Sequence, residues 1–168
     1  MKTWMKVLLI TIPVAIISLP IGQMLWPAAT ADGMGMEMEM SVPMLLGFIG
    51  VSVFEGLALG VGVSFLVLGL PVVRRLAAEG HGALAWSSFA AIIWFLVSWW
   101  PHDGLHRSMG DNMTTLLAVE YGFHVTLIIA GAILAYAFVY TAARLLGQRQ
   151  ADPSVAYPDA LVRASSEV

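Results

Sequence analysis

Residues 42–73 read VPMLLGFIGVSVFEGLALGVGVSFLVLGLPVV, a run interrupted by a single charge, Glu55, and closed by Arg74 and Arg75. It is longer than the roughly 20 apolar residues a helix needs to cross a hydrocarbon layer about 30 Å thick. A lone segment in that layer satisfies its backbone N–H and C=O groups only by coiling into a helix, since no water is there to bond them. Gly56 and Gly60 are four apart and share a helix face, where a second helix can approach closely. The stretch therefore predicts an all-α, polytopic transmembrane bundle.

Composition agrees with that reading. Hydrophobic residues make up 59 % of the 168 and charged residues only 11 %, against about 25 % charged in a typical soluble domain. A surface so poor in charge needs the lipid bilayer as its solvent. The net charge of −3 excludes a nucleic-acid partner. The absence of cysteine removes disulfides, thiolate metal sites and thiol catalysis together. Any metal must be held by His, Met, Asp or Glu.

Four spans are expected, at about residues 7–26, 43–73, 83–100 and 114–143, inside a transmembrane domain of residues 1–146. The first has two readings. It is either a retained helix kinked at Pro13 and Pro20, or a secretory signal cleaved near Ala29-Thr30-Ala31, which leaves three spans. Trp99 and Trp100 fall where an interfacial aromatic belt belongs. Pro101 then suits the start of a short interfacial helix, His102 to Met109, closed by Gly110. Asp111 or Asn112 is placed to cap the fourth span. Residues 147–168 are polar and proline-bearing, and are expected to form a disordered cytoplasmic tail.

Seven of the eight basic residues, Lys2, Lys6, Arg74, Arg75, Arg144, Arg149 and Arg163, fall on one side of the four-span arrangement. Only Arg107 falls on the other. Positive charge collects on the cytoplasmic side, so both termini are expected inside if the first span is retained. A Met-rich loop, residues 32–44, and a His-rich loop, residues 101–113, then share the outer face of a plasma (inner) membrane.

Those two loops and three buried positions carry the polar chemistry. The first loop, DGMGMEMEMSVPM, alternates Met34, Met36, Met38 and Met40 with Glu37 and Glu39. The second holds His102, Asp103, His106, Met109 and Met113. Counted at the helical rise, Glu55 lies about 18 Å and His124 about 15 Å below the outer ends of their spans. Glu120 sits one turn above His124 on the same face. The expected result is one polar track from His102, Asp103 and His106 through Glu120 to a Glu55–His124 pair near mid-membrane. Ionisable groups are costly in lipid, so they must pair, protonate or bind a cation. A Glu55–His124 bond that merely fixes helix packing accounts for part of the same pattern.

Thioether sulfur selects copper, Cu(I) above all, and imidazole suits copper, zinc and iron. Copper is therefore the first expectation for the metal, with the methionine tract as collector and the His/Glu cluster as the defined site. Haem on two of the histidines or a quinone bound near Glu120 and Tyr121 is the alternative, giving a membrane redox subunit. A non-catalytic accessory subunit of a larger membrane complex, or a homo-oligomer, is a further reading. Glu120 and His124 are four apart, not the three of the Glu-x-x-His di-iron motif. No set of catalytic residues is read from the chain.

Overall fold

The computed structural model describes residues 1–27, 41–109 and 112–151. It is all-helical through these residues: α1 is Thr3–Leu25, α2 Val42–Leu76, α3 Gly82–Val97, α4 Trp99–Met109 and α5 Met113–Ala151. Three stretches are long and apolar enough to cross a membrane, Thr3–Leu25, Leu45–Val97 and Met113–Gln148. The middle stretch doubles back at Ala77–His81, so it comprises two helices, α2 and α3. Gly80 makes that reversal with φ of 89°, a left-handed conformation that glycine adopts without a Cβ penalty. The protein is thus a polytopic helical membrane protein.

Two compact units divide the chain, Met1–Ile133 and Leu134–Val168. In the first, close approaches at glycine set the packing. A Cβ on Gly60 would run into the backbone carbonyl of Thr11, and one on Gly56 would lie 2.9 Å from Ser18 Oγ. As numbers rise along α2 they fall along α1, so the pair is antiparallel. The same holds for α2 and α3, where Gly62 faces Val97 and Gly69 faces Phe89. In the second unit, Tyr136 stacks near Tyr140 and the Arg144 guanidinium lies 5.8 Å from the Tyr140 ring centre.

The break between α3 and α4 follows from Pro101. Ser98 N–H donates to Trp94 O and His102 N–H to Ser98 O, but Pro101 has no N–H for Val97 O. The short helix therefore starts at Trp99 and takes in the tryptophan pair that was expected to close the third span. Trp100 packs edge-on against Trp26, ring centres 4.8 Å apart, and Gly104 lets the Trp26 ring reach the α4 backbone. Asn112 Oδ1 accepts from Thr115 N–H, which caps α5. Helix α5 runs past Gly147 to Ala151, beyond the start expected for the tail. Ala29-Thr30-Ala31, the methionines at 34, 36, 38 and 40, Gly110, Asp111 and residues 152–168 lie outside the described residues.

Gly60→Leu is expected to lower stability by about 1–3 kcal/mol, the usual cost of overpacking a tight contact. Gly47→Ala, whose Cβ meets open space, should leave stability unchanged or slightly raised. Thermal unfolding of both variants in detergent checks the contrast.

Candidate metal centre

Helix α4 is the element that sorts the polar residues. Successive side chains on a helix turn by about 100°, and residues four apart return to nearly the same face. His102 and His106 therefore share one face, Asp103 and Arg107 a second, and Trp100 and Gly104 a third. Each face meets a different neighbour.

The histidine face meets α5. His106 Nε2 lies 2.6 Å from Glu120 Oε1, and His102 Nε2 lies 3.7 Å from the same oxygen. The two Nε2 atoms are 3.2 Å apart. These three side chains form a group whose ligand atoms all lie within 4.8 Å of one another. A proton on His106 Nε2 would bond it to Glu120 Oε1, and the same convergence of two imidazole nitrogens and a carboxylate oxygen is what a cation needs. A cation satisfies all three lone pairs at once. Burial, together with the His106 imidazole alongside, holds His102 below the usual histidine range, so its ring favours the neutral, ligating form.

Aromatic packing fixes the His102 ring. It stacks on Phe123, ring centres 3.8 Å apart and planes 20° from parallel. Phe123 is buried and also takes Trp99 edge-on at 5.0 Å. One turn further along α5, Trp94 Nε1–H donates to Thr126 Oγ1. Thr126 in turn donates to the carbonyls of Gly122 and Phe123. Phe123 and the Trp94–Thr126 bond escaped the sequence reading. An aromatic residue three positions after Glu120 was the available signal, since i,i+3 places it beside the same helix face.

His124 attends the triad without joining it. Its Nδ1 lies 2.8 Å from Glu120 O and 3.0 Å from Glu120 Oε2. Both atoms are acceptors, so Nδ1 carries a proton and donates to them. The side chain is 62 % exposed. Glu120 thus uses Oε1 toward α4 and Oε2 toward His124.

The acidic and basic face of α4 meets α2 instead. Arg107 Nη2 lies 3.0 Å from Asp103 Oδ2, and the Glu55 carboxyl is set against both residues. The Glu55–His124 pair expected from equal depth does not form: Glu55 belongs to the Asp103–Arg107 group and His124 to Glu120. Depth along a helix fixes height but not direction, and α4 stands between the two. The i,i+4 spacing of Asp103 and Arg107 was the readable sign that Asp103 was already paired. Met109, partly exposed, ends α4, and Met113, 63 % exposed, begins α5. The single track of the sequence reading is therefore two groups, on different faces of α4.

Comparison with known proteins found no matching family model, no matching curated protein and no matching solved structure.

Phe123→Ala should destabilise the protein by about 3 kcal/mol and release the His102 ring from its stacked position. Near-ultraviolet circular dichroism and thermal unfolding in detergent measure the two effects, and Phe123→Leu should show less of both.

Proposed function

We propose that this chain is an integral protein of the plasma (inner) membrane that binds a transition metal outside the cytoplasm, for metal handling, delivery or transport. The ligands are His102 Nε2, His106 Nε2 and a Glu120 carboxylate oxygen. The observation that carries the reading is their convergence from two helices. Copper comes first, because Met34, Met36, Met38 and Met40 lie on the same side in the sequence-derived topology and thioethers favour Cu(I). Met109 and Met113, on the segments that flank the triad's loop, are available as softer secondary donors. The side assignment rests on Lys2, Lys6, Arg74, Arg75, Arg144, Arg149 and Arg163 falling on one side of the sequence-derived topology.

The donor set also supports a second reading. Two imidazoles and one carboxylate leave a coordination position open, as in mononuclear zinc or non-haem iron sites. In either case His124 orients Glu120 through Oε2, and Phe123 holds His102. Such supporting contacts hold a ligand in place before the metal arrives.

Elemental analysis of protein purified in detergent tests the proposal. Wild-type protein should retain equimolar metal, with copper above zinc and iron when all three are offered. His106→Ala and Glu120→Ala should abolish retention. His124→Ala should weaken affinity by about 10- to 100-fold, as loss of an orienting partner does. Deleting residues 33–44 should slow loading without abolishing it. Metal retention by His106→Ala equal to wild type removes the site.

A further inference from the structure

On the side of α4 that faces α1 and α2 lies a cavity of about 280 Å³. It has the make-up of a small-molecule site, a largely apolar wall with a few placed polar groups. Those groups come from three helices: Ser18 and Gln23 from α1, Ser52 and Glu55 from α2, Trp100 and Arg107 from α4. None of them serves the metal triad. Counted from Pro43 at the helical rise, the α2 part of the wall, residues 48–55, lies about 8–18 Å below the outer end of α2. That depth is within the hydrocarbon, where charge is costly.

The charges in this corner balance, but the hydrogen bonds do not. Glu55 and Asp103 are hydrogen-bonded to each other, and carboxylates only accept, so one proton lies between them. The single negative charge that remains faces Arg107, 3.0 Å from Asp103. No ion is needed here. Ser18 Oγ donates to Ala15 O, yet Ser52, Gln23 and the Trp100 indole N–H bond to no described residue. Gly22 lets that indole lie against α1, with Nε1 3.3 Å from where a Cβ would stand. Trp100 and Arg107 can only donate, and Arg107 has more N–H groups than Asp103 can take. Polar groups left unpaired away from water are costly. The cavity thus has donors in surplus, and a neutral guest with acceptors and an apolar body matches it.

We propose that the cavity binds the head of an isoprenoid quinone, a flat uncharged ring with two carbonyl acceptors and an apolar tail. The carbonyls accept from Trp100 Nε1–H and Arg107, with Ser52 and Gln23 beside them. The tail leaves sideways between Leu19 and Val53, which line the cavity and are 42 % and 44 % exposed on membrane-spanning helices. A phospholipid does not suit the site, because its phosphate would add a charge at this depth to a corner already balanced. The face of α4 used is not the one that meets Glu120.

The test is calorimetric titration of full-length, delipidated protein in detergent with decyl-para-benzoquinone and with decylbenzene, which has the ring and tail but no carbonyls. Wild type should bind one quinone per chain about tenfold more tightly than decylbenzene, the ratio expected for one good hydrogen bond. Trp100→Phe, which keeps an aromatic ring but no N–H, should weaken quinone binding several-fold and leave decylbenzene binding unchanged. Ser52→Leu, which fills the cavity, should abolish binding of both. Equal affinity of wild type for the two compounds overturns the proposal and needs no variant. So does quinone binding by Ser52→Leu at wild-type strength, or displacement of the quinone by an equal concentration of phosphatidylcholine.

Discussion

Glu120 gives α5 its polar hold on α4. Lipid tails are as apolar as leucine, so an apolar helix face gains little by leaving lipid for another apolar face. Hydrogen bonds and ring contacts between helices then decide which residues stand opposite each other. Here the carboxylate meets His106, Phe123 fills the space between Trp99 and His102, and Trp94 reaches Thr126. All of these contacts fall on one face of α5, at positions 120, 123 and 126. A one-residue slip would turn that face by about 100° and lose every one of them.

Because α5 is held in this way, α4 can serve several neighbours. It is short, but its faces are distinct: tryptophan and glycine against α1, an ion pair beside α2, imidazoles against α5. The break at Ser98 and Pro101 frees α4 from the helix before it, so its rotation is set by these three contacts. The His102–His106–Glu120 group and the Asp103–Arg107 pair are therefore set by one structural decision. Residues that disturb one group through α4 will also move the other.

The spans were legible in the sequence because length and apolarity decide them. The Gly56/Gly60 approach was also legible, from two glycines one turn apart. His102, His106 and Glu120 were read as polar groups needing partners, and the structure brings the three together. The pairing of Glu55 was not legible, because it depends on where α4 lies around the bundle axis. Periodicity within α2 or α5 alone carries no information about that angle. Arg107 was read only as a lone outer cation, although its spacing from Asp103 marked a local pair. The methionines at 34, 36, 38 and 40 are read from sequence alone, and their link to the triad rests on topology.

The order of His102, His106 and Glu120 along the chain has a consequence for biogenesis. His102 and His106 leave the ribosome before Glu120 does, and alone they offer two nitrogens on one exposed helical face. Their carboxylate partner arrives only once α5 has folded back against α4. A nascent chain stalled before that point leaves both imidazoles without the carboxylate opposite them. The His106–Glu120 contact thus forms only when α5 closes on α4, and its presence reports that the last helix is in place.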